Sequence, residues 1–207
     1  GKRWIIFIVA VVAVLAGLII YSRLSAPSVG DGSGSSNVYG KTDSKVVLTE
    51  FVDFQCEACK GFYPTVKEVK EKYKDTVRFE IRYFPIATSH ANARAAAATA
   101  QAAAKQGKFF EMHDLLFEKQ DEWGESRDRN AIFESYAEEI GLNMDQYRTD
   151  LSSPETQQVI QADLALVKKL GGDGTPTFAL NGEKIDNPQN TIEAFTKLLD
   201  DALARSN

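Results

Sequence analysis

The nine residues from Val46 to Phe54 (VVLTEFVDF) place aliphatic and aromatic side chains at both strand parities. A strand that is apolar on both faces must be covered on both, so this one belongs at the centre of a layered sheet. Glu50 interrupts the run, and a carboxylate in such a strand is costly unless it is paired. Cys56-Glu57-Ala58-Cys59 follows at once and holds both cysteines of the chain. Phe62, Val66 and Val69 to Tyr73 then recur at helical spacing, which predicts a helix to about Lys74 with the cysteine pair in its first turn. Pro64 should kink that helix or loosen its start. Val77 to Phe84 (VRFEIRYF) alternates as a second strand. Strand, helix, strand is a right-handed crossover unit, which sets the two strands parallel.

Beyond this unit the chain turns helical. Ten of the fourteen residues from Ala91 to Ala104 are Ala, the strongest helix former. After Gly107, residues Phe109, Met112, His113, Leu116 and Phe117 form one apolar stripe, and Ile132, Phe133, Tyr136, Ala137 and Ile140 form another. Asn143 with Gln146 reads as a capping box, and Ser153-Pro154 as an N-cap followed by Pro at the first helical position. Gly171-Gly172 should end that last helix. Residues 88–171 therefore read as an uninterrupted helical block. β character returns with Thr177 to Leu180, Asn181-Gly182 signals a type I′ hairpin, and Glu183 to Ile185 can pair back. Ile192, Phe195, Leu198 and Leu199 mark a closing helix.

Two thiols at this spacing can close a disulfide within a helical turn, and the same spacing serves zinc sites. Zinc needs two more ligands, and the two histidines, His90 and His113, lack a paired spacing. They read as packing or solvated residues of the helical block. Two cysteines are too few for a disulfide-stapled scaffold and are better read as working thiols.

Trp4 to Tyr21 is an apolar run of 18 residues flanked by Lys2, Arg3 and Arg23, nearly long enough to cross a ~30 Å hydrocarbon core. It exceeds the ~7–15 residues of a signal-peptide core, and no A-x-A site follows. Residues 1–24 are therefore expected to be a transmembrane anchor with its N-terminus inside, 25–37 a flexible Gly/Ser linker, and 38–207 the folded domain. Removing the three basic residues of the anchor from 24 leaves 21 against 29 acidic ones, a net charge of −8 that argues against nucleic acid as a partner.

With its C-x-x-C opening a helix after a central strand, its helical block, Thr175-Pro176 before the third strand and Glu50 six positions ahead of Cys56, residues 38–207 resemble the thioredoxin superfamily, and within it the DsbA-type thiol–disulfide oxidoreductases. The stretch from His90 to Phe117, with GKFFEMHDLLF, is similar to the helical insert of that family. The resemblance implies an α/β thioredoxin-like fold with a helical insertion (about 88–171) between the two halves of the sheet, here preceded by a transmembrane helix.

It also implies roles. Cys56 is the nucleophile, because a helix N-terminus favours a thiolate. Cys59 is the buried resolving thiol, and Glu50 its proton acceptor, with a pKa raised by burial. Pro176 is the family's cis-proline, leaving the backbone of Thr175 free to bind client. The dipeptide Glu57-Ala58 replaces the proline and histidine of the strongly oxidising members. It gives the thiolate no side-chain hydrogen bond and brings a negative charge, so an intermediate potential is expected. No metal or organic cofactor is implied, since the cysteine pair carries the electrons. The implied partners are exported client proteins with cysteines and a quinone-linked thiol oxidase of the membrane, with the catalytic domain on the extracytoplasmic side. A reductase or isomerase on the same fold, or a non-catalytic binding module or chaperone, are the alternatives.

Overall fold

The computed structural model describes residues 34–35 and 37–206. The expected anchor over 1–24 lies outside them. Among the described residues no helix is long and apolar enough to cross a membrane.

Among the described residues five strands form one mixed sheet: β1 (Asn37–Gly40), β2 (Val47–Val52), β3 (Arg78–Tyr83), β4 (Thr177–Leu180) and β5 (Glu183–Lys184), in the order β1-β3-β2-β4-β5. The expected central strand is β2, parallel to β3 with Val52 opposite Tyr83, and antiparallel to β4 with Glu50 opposite Phe178. Between β2 and β3 runs α1 (Glu57–Tyr73), which continues unbroken through Pro64. Six helices fill the stretch before β4: α2 (Ala93–Ala104), α3 (Phe109–Glu118), α4 (Gln120–Trp123), α5 (Arg129–Glu139), α6 (Met144–Leu151) and α7 (Pro154–Lys169). The closing helix is α8 (Ile192–Ser206).

Local chemistry sets these boundaries. Asn143 accepts from the Gln146 N–H at 3.0 Å to start α6, and Ser153 accepts from the Thr156 N–H at 3.2 Å, with Pro154 opening α7. Asn181 and Gly182 both take positive φ, 52° and 84°, the pair of left-handed residues that a type I′ hairpin requires. The alanines of α2 are buried almost all round, which lets the neighbouring helices approach closely.

Side chains on the two faces of β2 join different cores. Leu48 packs with Val66, Val69, Phe178, Phe195 and Leu199, between the sheet and helices α1 and α8. Phe51 points the other way, onto Val167 of α7, with Ala179 and Phe84. The largest cluster joins Val52, Cys59, Ile81 and Tyr83 to the helical insert.

The linker expected over 25–37 ends too late. Ser35 is buried: its N–H and hydroxyl bind Asp163 of α7 at 3.0 and 2.6 Å, and Asn37 already belongs to β1. Gly34 has φ 61°, and a Cβ there would overlap the Asp163 carboxylate. Composition pointed to a flexible chain, but a buried acid holds the end of this segment. Strand β1 itself, four residues of NVYG, gives no alternation from which to read it.

Candidate active site

Strand β2 ends at Val52, and the linker Asp53–Gln55 delivers Cys56 to the N-cap of α1. The Cys56 N–H closes a turn on the Asp53 carbonyl at 3.1 Å, and the Cys56 carbonyl accepts the first helical bond, from the Lys60 N–H, also at 3.1 Å. Cys56 has φ −72° and ψ 123°, and no side chain caps the helix. Its thiol therefore sits where a capping oxygen would, on the free N–H groups of the first turn.

Both cysteines are free thiols, Cys56 half-buried and Cys59 fully buried. The Cys56 thiol is lowered to about 5, chiefly by a hydrogen bond from Cys59, against the opposing effect of burial. Thr175 and the N–H groups of Cys59 and Ala58 add to the lowering. Cys59 is pushed well above the ordinary thiol range, first by burial, then by its bond to Cys56 and the charges of Cys56 and Glu50. Glu57 and Ala58 are both exposed.

Across the opening, Cys56 Sγ lies 3.5 Å from the Thr175 carbonyl oxygen, and the Thr175–Pro176 bond is cis. The Pro176 carbonyl accepts from Asn187 at 2.7 Å. Glu50 is 5% exposed on the face of β2 that points toward α1, and burial raises its carboxyl. The structure thus brings Cys56, Cys59, Glu50, Thr175 and Pro176 into one site.

Several residues of this site were not singled out in the sequence. Lys70, 5% exposed on α1, sets its ammonium 4.8 Å from the Phe110 ring centre and 5.4 Å from that of Tyr39. Burial lowers its pKa, while Glu50 opposes that shift and Lys70 in turn holds Glu50 down. A signal existed: Cys59, Tyr63, Val66, Lys70 and Tyr73 step by four and three along one helix face, so Lys70 occupies a core position. Asp53, 1% exposed, accepts from the Gln55 and Ile86 N–H groups at 2.8 and 2.7 Å, and its Oδ2 lies 2.8 Å from His90 Nδ1. Gln55, Asn92 and Gln120 tie the linker to the insert: Gln55 donates to the Gly124 carbonyl at 2.7 Å and accepts from the Asn92 N–H at 2.7 Å. Apart from the local Gln55–Asp53 turn, these contacts of Asp53 and Gln55 span 33 to 69 residues, and no local pattern encodes them.

The histidines do not join the cysteines as ligands. His113 is buried among Phe54, Tyr63, Phe109 and Phe117, bonded to Asp114 at 3.0 Å, and burial lowers it to about 4. Among the described residues no group of three or more His, Cys, Asp or Glu is placed to hold a metal ion.

The geometry agrees with what comparison with known proteins finds. A thioredoxin-like oxidoreductase from Silicibacter pomeroyi superposes with a TM-score of 0.67 at 28% identity, over 80% of this chain and 90% of that one. The α-DsbA1 protein of Wolbachia pipientis gives 0.68 at 21% identity, over 82% and 91%, a likeness of fold. A curated relative from Salinispora tropica, named Na+/H+ antiporter NhaA 3, is 38% identical over 173 residues, 81% of this chain. The chain spans about a quarter of that relative's length, 25%. The sequence profile of thioredoxin matches residues 33–201, which include every site residue above. With this match and a DsbA-type arrangement of sheet and helical insert, the chain belongs to the thioredoxin family.

Proposed function

We propose that the chain is a membrane-tethered thiol–disulfide oxidoreductase that introduces disulfides into exported proteins through Cys56 and Cys59. The observation that carries this reading is the capping position of Cys56: a half-buried thiol on free helix N–H groups, lowered to about 5, beside a thiol pushed the other way. Such a pair has one sulfur that leaves and attacks readily and one that holds its proton.

In the oxidising direction a client thiolate attacks Cys56 Sγ of the Cys56–Cys59 disulfide. The S–S bond breaks, a mixed disulfide forms on Cys56, and Cys59 departs as a thiolate and takes up a proton. A second client thiolate attacks the client sulfur of the mixed disulfide and releases Cys56 as the stabilised thiolate. Two electrons pass from client to cysteine pair, and the client leaves with its disulfide. Buried Glu50 exchanges the proton of Cys59, as donor when Cys59 leaves and as acceptor when it attacks. The backbone of Thr175, 3.5 Å from Cys56 Sγ, is the place for an extended client segment to lie beside the attacked sulfur. No cofactor beyond the cysteine pair enters this cycle.

The tether and the location rest on the apolar run Trp4 to Tyr21, and the extracytoplasmic side is the compartment where disulfides persist. A quinone-linked membrane thiol oxidase is the class of partner that would return Cys56 and Cys59 to the disulfide. Because the Glu57-Ala58 dipeptide offers the thiolate no side-chain hydrogen bond, the reduction potential is expected between ~−270 mV and ~−120 mV. Equilibration against glutathione measures it, and incubation of the oxidised chain with a reduced, unfolded client measures disulfide transfer. A potential at or below the lower end without transfer would move the assignment to a reductase. A pair inert to both would leave a binding module.

A further inference from the structure

We propose that Gln120 is a positioning residue for the attacking cysteine: its side-chain amide, reaching from the helical insert, holds the Cys56 carbonyl so that the sulfur rests on the free N–H groups of α1. This rests on the thiol–disulfide reading above and adds to it a residue outside the C-x-x-C, the strand acid and the Thr-Pro pair.

The geometry is specific. Gln120 is the first residue of the four-residue helix α4 and is 5% exposed. Its Nε2 donates to the Phe54 carbonyl at 2.7 Å and to the Cys56 carbonyl at 3.2 Å, so one planar amide spans both ends of the arch that leads into α1. Two carbonyls separated by one residue thereby receive a fixed relative orientation. At Cys56 the second acceptor site of the oxygen is already taken by the Lys60 N–H. Its direction is thus set from two sides, once by the helix and once by the insert.

That direction matters because ψ of Cys56, the rotation about its Cα–C bond, fixes where the Cα–Cβ bond stands relative to the carbonyl and the first turn of α1. With the carbonyl held at ψ 123°, the Cα–Cβ bond is directed so that the sulfur can meet the Ala58 and Cys59 N–H groups, which lower its pKa. Burial keeps water from replacing the amide, so its loss leaves two carbonyls short of a donor. Gln120 is in turn held in place: Trp123 of the same short helix is fully buried, and its indole N–H donates to the Leu116 carbonyl at 2.9 Å. The insert therefore acts on the redox centre through a hydrogen bond to the nucleophile's own backbone.

The test is the alkylation rate of Cys56 against pH in the full-length reduced chain. In Gln120→Met, which keeps the length and removes the donors, the midpoint rises by at least about half a pH unit, so the thiolate fraction at pH 4 falls roughly threefold. Gln120→Glu puts acceptors against the same two carbonyls and raises it further. Tyr147→Leu, at a residue buried within the insert where its hydroxyl meets Thr99 and makes no contact with the Phe54–Cys56 arch, lowers stability and leaves the midpoint in place. An unchanged midpoint in Gln120→Met, or an equal rise in Tyr147→Leu, overturns the proposal. A readout without mutation guards against misfolding: in the wild-type chain the Gln120 side-chain amide resonances should move with the thiolate midpoint, and stationary resonances also overturn it. If wild-type Cys56 itself titrates near 8.5, the redox reading fails instead, which is a distinguishable result.

Discussion

The mouth and the floor of the redox site lie one helical turn apart and treat a thiol in opposite ways. At the mouth, Cys56 is half-open and faces N–H groups, so its charged form is favoured and its pKa falls to about 5. At the floor, Cys59 is fully buried beside another buried acid, and its pKa rises. The same helix supplies both environments: its first turn points unpaired donors at one sulfur and carries the other into the apolar core. Redox asymmetry in this chain comes from depth more than from residue type.

The largest effect should come from separating the two thiols. Cys56→Ser should abolish exchange, because a serine hydroxyl is not ionised at this site. Cys59→Ser should still attack a mixed or client disulfide but should stall, accumulating a covalent adduct through Cys56. Non-reducing gels after incubation with a peptide disulfide read both outcomes. Adducts trapped equally by either variant would show that mouth and floor are interchangeable.

A smaller effect is expected from the acid at the floor. Burial raises Glu50, so its base form fills only as pH climbs through that raised value. The resolving step, attack of Cys59 on a mixed disulfide, should therefore accelerate with pH across that range. Glu50→Gln should lose this limb and slow the step by about 100-fold, the lower end of the range for general acid–base groups. The limb set by Cys56 near 5 belongs to the preceding attack of free Cys56 on a disulfide, and should remain. Rapid-quench kinetics of the two steps between pH 3 and 9 separate the limbs, and an unchanged profile of the resolving step would remove Glu50 from the mechanism.

The mouth and the floor also differ in how far they could be read from sequence. The C-x-x-C at a helix start, the strand acid and the Thr-Pro pair are local patterns, and each stands where its pattern implied. The parallel β2–β3 unit, the insert and the Asn-Gly hairpin follow from periodicity and turn chemistry in the same way. Lys70 was half-legible, a charge on an apolar stripe that only the packing of Tyr39 and Phe110 explains. Gln120, Asn92 and Gln55 were not legible at all, because an amide in a polar stretch carries no signal until the fold brings a carbonyl to it. The linker end misled for a related reason: Ser35 belongs to a flexible composition, and its partner Asp163 lies 128 residues away.

The smallest effect, and the sharpest for the floor, is the coupling of Glu50 to Lys70. Each is disfavoured as an ion by burial and supported by the other's charge. Glu50 is raised when folded, so its contribution to stability is complete below the unfolded carboxyl value and is lost as pH rises through the folded one. Lys70 is lowered when folded, so its contribution is complete above the unfolded amine value and is lost as pH falls through the folded one. Lys70→Met leaves the acid alone, and stability should fall more steeply with rising pH than in the wild type. Glu50→Gln leaves the amine alone, and stability should instead rise with pH. The double variant should lose both slopes, and the cycle should close with a coupling of about 0.5–3 kcal/mol. Urea titrations at pH 5, 7 and 9 give all four stabilities. Parallel slopes and a coupling near zero would mean that the floor holds two independent buried charges, and that Glu50 takes its proton affinity from burial alone.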